Sequence, residues 1–200
     1  GIVAFSKVLT ESNTTHKSVP MLMSDITACN FDSIYHQKGI ITAFKEAGYQ
    51  TAFFSNQRYN HSFIDFFGKE ADTFDFIKED SLDSAYNPSD DELLALVAKE
   101  LSKGNQKQFI VLHTYGSHFN YRERYPSEDA FFLPDYPVEA EVKYRDNLVN
   151  AYDNTIRYTD SFLSRLIHML EEQHVDAAML YTSDHGEDIF DDSRHLFLHA

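Results

Sequence analysis

The residues with the clearest chemical potential lie near the C-terminal end of the chain, at 181–187, which read YTSDHGE. Small and apolar residues precede them, so the pattern predicts a strand that ends at the adjacent carboxylate and imidazole of Asp184 and His185. Open α/β sheets bind their ligands at the carboxyl ends of the strands. Because carboxylate oxygen and imidazole nitrogen are both good zinc ligands, we expect a divalent metal site here, with an ordinary surface turn as the alternative.

Three further segments carry hydroxyl or imidazole groups. Residues 13–20 (NTTHKSVP) contain two adjacent threonines, which suit either a helix N-cap or, beside a metal, an alkoxide nucleophile. Residues 113–118 (HTYGSH) place two histidines directly after an apolar run, where a structural role and a functional role are about equally common. Residues 194–199 (RHLFLH) add two more, for which solvent exposure alone is the more common explanation. Together the four segments supply a nucleophile, metal ligands and imidazoles that bind phosphate or move a proton.

Elements that would position these groups alternate between helix and strand. Apolar runs and helical spacing predict strands over 49–55, 109–112 and 177–182, and helices over 33–47, from a capping box at 89–92 to near Gly104, and over 142–172. This alternation indicates an α/β fold, mainly a parallel sheet flanked by helices on both faces. The Pro- and aromatic-rich residues 114–141 should form a long loop that lines a site.

Composition narrows the function class. The chain of 200 residues is 42% hydrophobic, which is enough for one globular domain with a sizeable core. Its net charge of −15 argues against nucleic acid as a partner and gives no electrostatic reason to bind an anionic membrane surface. The single cysteine, Cys29, excludes an internal disulfide and a Cys-based zinc cluster. The sequence contains neither a Walker loop nor a GxSxG elbow.

These segments, in this order, resemble the phosphoethanolamine transferases of the alkaline phosphatase and sulfatase superfamily. The similarity covers the family's Thr-x-x-Ser-Val-Pro at 15–20, its Leu-His-x-x-Gly-[Ser/Asn]-His at 112–118 with Arg-Tyr at 124–125, its helix signature at 150–154 and 159–162, its Asp-His-Gly-Glu at 184–187 and its closing Leu-His at 198–199. The resemblance implies an alkaline-phosphatase/sulfatase-like fold. It also implies that residues 1–200 form a single catalytic domain truncated at both ends.

The resemblance further implies a nucleophile and a metal site. Thr15 would be the catalytic nucleophile and itself a zinc ligand. Asp184 and His185 would complete the zinc site together with a family glutamate expected upstream of Gly1. His113 would join a second, weaker metal site.

Other matched residues would contact the substrate. His118 and His199 would bind the phosphoryl oxygens or assist proton transfer, which makes both of them catalytic and substrate-binding. Asn13 stands two residues before the nucleophile, where the family often has threonine, and would contact the substrate. Asn56 lies in a Phe-rich segment where relatives carry Trp and Asp-Asn near the substrate.

The implied reaction is a zinc-dependent, two-step transfer. Phosphatidylethanolamine would donate phosphoethanolamine to the threonine, and a glycolipid or glycan such as lipid A would accept it. In this family an N-terminal region, absent from this chain, holds the enzyme in the bacterial inner membrane with the catalytic domain facing the periplasm.

Three alternatives stay open. Sulfatases need a (C/S)-x-Pro-x-Arg segment, whereas residues 18–22 (SVPML) have leucine in place of arginine. A glycerol-phosphate transferase or phosphodiesterase of the same superfamily would also use a threonine nucleophile. A degenerate, acidic binding module would be a non-enzyme, and it predicts that the Thr15, His118 and Asp184 side chains do not converge.

Overall fold

Three apolar stretches pair in parallel to form the central sheet of the computed structural model, which describes residues 1–59, 61–77, 88–104 and 107–199. The strands and helices in chain order are α1 (Thr15–Met23), α2 (Ile40–Glu46), β1 (Gln50–Ser55), α3 (Phe63–Gly68), β2 (Thr73–Phe76), α4 (Glu92–Leu101), β3 (Gln108–His113), α5 (Arg145–Glu172), β4 (Asp188–Ile189) and β5 (Phe197–Leu198). The sheet order is β2-β1-β3, so β1 is central. Strand β2 was not predicted from the sequence.

Alternate side chains of β1 enter two different cores. Phe53 packs on one face of the sheet with apolar residues of α1, α2 and α3. Ala52 and Phe54 point to the opposite face, where residues of α4 and α5 cover them. The prediction of a mainly parallel sheet with helices on both faces is therefore confirmed, as are the strands near 49–55 and 109–112.

Three asparagines of α5, here called the asparagine ladder, bind the loop that precedes this helix. Asn147, Asn150 and Asn154 lie on one face because their spacings of three and four residues match the helical repeat. Their side-chain amides donate to the carbonyls of three alternate loop residues, Tyr136, Pro134 and Phe132 respectively. The long helix predicted over 142–172 is confirmed, with a 3-10 turn over Val142–Tyr144 ahead of it.

The helix predicted over 33–47 is wrong as a single element. The chain instead forms a 3-10 turn over Phe31–His36 and then α2, with an extended Gly39 between them that pairs with Ser24. A Cβ at Gly39 would come within 2.6 Å of the Glu70 carboxylate, which accepts the Gly39 backbone N–H at 2.7 Å. This tertiary contact overrides the local helical pattern.

The strand predicted over 177–182 is also wrong. Within the described residues this segment pairs with no strand, and Leu180 is 83% exposed. An apolar run favours extended backbone, but it cannot tell whether a neighbouring strand is present to accept its hydrogen bonds.

Helix α4 begins at Glu92, with Asp91 rather than a capping-box Ser89 at its N-cap.

None of the helices in the described part of the chain combines the length and the apolar character needed to span a bilayer.

Of the three residues of the asparagine ladder, Asn154 should contribute most to the stability of the fold. It is 1% exposed and makes four hydrogen bonds: it accepts from the backbone N–H groups of Phe131 and Phe132, and donates to the Phe132 carbonyl and the Tyr125 hydroxyl. Asn154→Ala should lower the free energy of unfolding by about 2–3 kcal/mol, because it leaves buried polar groups without a hydrogen-bond partner. Asn150→Ala removes one exposed bond and should cost about 1 kcal/mol or less. Urea unfolding compares them, and equal losses would contradict this account.

Candidate active site

The threonine pair begins helix α1. Thr14 is at the N-cap, where its carbonyl accepts from the Ser18 backbone N–H and hydroxyl, both at 2.9 Å, but its own side chain makes no capping bond. Thr15 is the first helical residue and half-buried. Its hydroxyl therefore lies at the positive end of the helix dipole, a setting that favours negative charge on the oxygen or on a bound phosphoryl group.

The Thr15 hydroxyl contacts the imidazole of His185. Thr15 Oγ1 lies 3.2 Å from His185 Nε2, and the other ring nitrogen, Nδ1, lies 2.9 Å from the carbonyl of Gly186. That carbonyl can only accept, so Nδ1 carries the proton and Nε2 presents its lone pair to Thr15. Local backbone thus selects the tautomer that suits a metal ligand.

Asp184 completes this cluster. Its Oδ2 accepts from the Ser18 hydroxyl at 3.1 Å and lies 3.5 Å from His185 Nε2. Ser18 is one turn beyond Thr15 on α1 and is 2% exposed. One face of the helix therefore presents the Thr15 hydroxyl and holds the Asp184 carboxylate beside it.

The donor set fits a zinc ion. Ligands about 2.0–2.1 Å from a tetrahedral zinc lie about 3.3 Å from one another. The two measured donor separations, 3.2 Å from Thr15 Oγ1 to His185 Nε2 and 3.5 Å from Asp184 Oδ2 to His185 Nε2, bracket that value. Within the described ranges no three His, Cys, Asp or Glu side chains gather around one point, so a threonine oxygen must be counted to reach three ligands.

A short hairpin returns the chain to the cluster. Strands β4 and β5 pair antiparallel, and His199 follows β5 directly. The His199 ring packs edge-on against the His185 ring with their centroids 4.7 Å apart. Asn13 donates its side-chain amide to the His199 carbonyl at 2.9 Å, which ties the segment before α1 to the hairpin.

His113 lies at the carboxyl end of β3, with Nδ1 3.0 Å from the Ser55 hydroxyl at the end of β1. Burial lowers the pKa of His113 to about 4, and the negative charge of Asp184 opposes that shift. The ring is therefore neutral at neutral pH, the form that binds metals.

His118 and Asn56 contact groups other than the Thr15 cluster. His118 is exposed, and its ring stacks edge-on against Tyr115 at 5.3 Å. Asn56 is buried and donates to the Asp90 carboxylate at 2.8 Å. Among the described side chains, no hydrogen bond joins His118 or Asn56 to Thr15. Asn56 and Tyr115 instead line a separate cavity of about 250 Å³.

Two contacts in the site region were not predicted. Ser18 was noted as part of a motif, but not as the partner of Asp184. Glu187, the last residue of the Asp-His-Gly-Glu segment, accepts a hydrogen bond from the hydroxyl of the fully buried Tyr121, whose pKa is raised by burial and by this carboxylate. Glu187 thus anchors the turn that carries His185. No sequence signal links positions 121 and 187, because the pairing depends on how the loop packs.

A parallel α/β sheet with this hydroxyl, carboxylate and imidazole at one side has the architecture of the alkaline phosphatase and sulfatase-like enzymes. The chain belongs to the sulfatase family, whose profile matches residues 1–199. A curated relative, the Kdo(2)-lipid A phosphoethanolamine 7''-transferase of Escherichia coli K12, is 36% identical over 102 residues, which cover 50% of this chain and 18% of that protein. The chain thus spans only a small part of this relative.

Solved structures agree in fold. The zinc complex of the C-terminal periplasmic domain of EptC from Escherichia coli superposes with a TM-score of 0.84 at 23% identity, over 96% of this chain and 55% of that one. The integral membrane protein lipooligosaccharide phosphoethanolamine transferase A of Neisseria meningitidis gives 0.77 at 26% identity, over 97% of this chain and 36% of that one.

The lowered pKa of His113 predicts a pH effect on stability. Between pH 6.5, its ordinary pKa, and about 4, the unfolded state binds more protons, so the free energy of unfolding should fall as the pH falls through this interval. Urea unfolding of chelator-treated protein should show a shallower fall for His113→Asn, which keeps a partner for Ser55 but does not titrate. Equal slopes, or an NMR titration of His113 near its ordinary value, would contradict the assignment.

Proposed function

We propose that this chain is the catalytic part of an enzyme that transfers phosphoethanolamine from phosphatidylethanolamine to a glycolipid or glycan acceptor through a covalent intermediate on Thr15. The observation that carries the proposal is the cluster of Thr15 Oγ1, His185 Nε2 and Asp184 Oδ2. A hydroxyl on a helix N-terminus beside two metal-type ligands suits nucleophilic attack on a phosphoryl group. The names of the relatives supply the class of group transferred.

Thr15, Asp184 and His185 would hold a zinc ion. When bound, zinc would lower the pKa of the threonine hydroxyl and neutralise charge on the phosphoryl group. The N-terminal turn of α1 adds its N–H groups and dipole, while Ser18 keeps the Asp184 carboxylate in place. His113, neutral and near Asp184, is the candidate for a second metal site.

In the first half-reaction Thr15 Oγ1 gives up its proton and forms a bond to phosphorus, while the bond from phosphorus to the diacylglycerol oxygen breaks. The departing oxygen takes up a proton and diacylglycerol leaves. In the second half a hydroxyl or phosphate oxygen of the acceptor gives up any proton it carries and attacks the same phosphorus, and the bond to Thr15 Oγ1 breaks as that oxygen regains a proton. His199, packed on His185, and His118, exposed on the loop after β3, would bind the phosphoryl oxygens or exchange these protons.

The acceptor and the location are part of the same proposal. The Escherichia coli relative is named for Kdo(2)-lipid A, and the Neisseria meningitidis relative is an integral membrane protein. We therefore propose lipid A or a similar glycan as acceptor, with the enzyme held in the bacterial inner membrane by a region outside this chain and its catalytic part facing the periplasm. Asn13 and Asn56 would contact substrate.

A formylglycine sulfatase is less well supported. Its modified residue would fall at Ser18, but the Ser18 side chain is buried and hydrogen-bonded to Thr14 and Asp184. A binding module without activity predicts that the Thr15, His118 and Asp184 side chains do not converge. Thr15 and Asp184 both lie beside His185, which speaks against that alternative, whereas His118 makes no hydrogen bond to them among the described side chains.

Thr15→Ala should abolish the covalent intermediate because it removes the attacking oxygen. The full-length, zinc-loaded protein is incubated with phosphatidylethanolamine, and the peptide containing residue 15 is examined by mass spectrometry. The wild type should carry phosphoethanolamine on Thr15. Thr15→Ser keeps a hydroxyl and serves as the matched control, while Thr14→Ala removes the neighbouring hydroxyl and should still form the adduct. An adduct in Thr15→Ala, or none in the wild type with zinc bound, would refute the proposal.

Ser18→Ala should weaken zinc binding by about 10-fold or more, because outer-shell hydrogen bonds orient metal ligands. Isothermal titration calorimetry with zinc measures this without any turnover. His16→Ala, an exposed neighbour on the same helix, is the control and should bind zinc as the wild type does. If Ser18→Ala and His16→Ala bind zinc equally well, the Asp184 carboxylate is not a ligand that Ser18 orients.

A further inference from the structure

One carboxylate outside the Thr15 cluster gathers three donors from two different loops. Asp90 Oδ1 accepts from the side-chain amide of Asn56 and from the backbone N–H of Tyr115, both at 2.8 Å, and its Oδ2 accepts from the backbone N–H of Gly116 at 2.9 Å. Hydrogen bonds to a charged acceptor are stronger than those between neutral groups. Three such bonds to one carboxylate hold the three donor groups firmly in place. Asp90 thereby joins the segments that leave β1 and β3.

The two backbone donors lie between the predicted site histidines. Tyr115 and Gly116 follow His113, at the end of β3, and precede His118. Gly116 has a φ of +58°, a left-handed conformation in which the chain turns away from the strand. Asp90 accepts the N–H groups at this turn, so it sets the path by which the loop carries His118 away from the sheet edge.

We propose that Asp90 is a positioning residue for the reaction, one that holds the loop bearing His118 in its productive place beside Asn56. This inference rests on the proposed function, because His118 is a site residue only there. Asp90 touches no reacting atom; it acts through the backbone of Tyr115 and Gly116 and through the amide of Asn56.

The adjacent carboxylate has a different task. Asp91 accepts the Tyr158 hydroxyl at 2.9 Å and pairs with Arg165, both on α5. Two consecutive acidic residues ahead of α4 therefore face opposite ways, one toward the loop and one toward the helix. This makes Asp91→Asn a control matched in charge, chain position and chemistry.

The kinetic test compares Asp90→Ala, Asp90→Asn and Asp91→Asn in the full-length protein, with diacylglycerol release from phosphatidylethanolamine as the assay. A misplaced site group costs on the order of 100-fold in rate, so Asp90→Ala should lose about that much in kcat, and Asp91→Asn should stay near the wild type. Asp90→Asn keeps one oxygen for two of the three donors and should be intermediate. In the His118→Ala background Asp90→Ala should cost clearly less than in the wild type, since the part of its effect that is exerted through the His118 loop is already lost. Independent, multiplying losses would overturn the proposal.

Amide hydrogen exchange tests the same anchor without turnover. Exchange at Tyr115 and Gly116 should be at least about 10-fold faster in Asp90→Ala than in Asp91→Asn, with the amides of strands β1 and β3 unchanged. Unaltered exchange at these two amides would overturn the positioning role itself. Failure of the wild type to release diacylglycerol would instead refute the proposed function. The exchange measurement therefore tests the positioning role of Asp90, and the release assay tests the proposed function.

Discussion

The contact between Thr15 and His185 is the constraint on which the site depends, because it joins residues 170 positions apart. Neither partner lies on the sheet. Helix α1 presents Thr15 only because Val19 and Met23 pack against the Phe53 face of the sheet. His185 reaches it only because its turn is held by the Tyr121 hydroxyl through Glu187 and continues into the β4–β5 hairpin. The chemistry therefore rests on long-range packing on both sides.

Helix α5 supplies the second support. Its N-terminal half packs with Tyr121 and the β4–β5 hairpin in one core, while its C-terminal half covers the Phe54 face of the sheet in another. The asparagine ladder on the same helix holds the 132–136 segment. One helix of 28 residues thus keeps the hairpin that ends in His199 in a fixed relation to the strand that ends in His113.

The sequence predicts those parts of the fold whose signal is local. The apolar runs of β1 and β3 and the helical spacing of α5 identify their elements correctly, since each pattern extends over several residues. The break at Gly39 could not be predicted, because it depends on Glu70, 31 positions away. The segment 177–182 looks like a strand but has no strand beside it in the described part of the chain. For the candidate site, the motifs predict Thr15, Asp184 and His185, which the structure brings together, whereas the contacts of Ser18 and Glu187 depend on packing and could not be predicted.

The proposed site has two parts, a cluster held by helix α1 and an anchored turn, and a part carried on the loop after β3. Thr15, Asp184 and His185 are held by one helix face and one anchored turn, so the proposed nucleophile and metal ligands are already close together without substrate. His118 stands on a loop outside that cluster and is exposed. The proposed two-step transfer gives a reason to separate them. Thr15 would accept the group in the first step and act as the leaving group in the second, while the groups around the phosphoryl oxygens must admit first a lipid donor and then a different acceptor. Asp90, bound to the loop rather than to the cluster, is the residue that connects the loop to the fixed sheet edge.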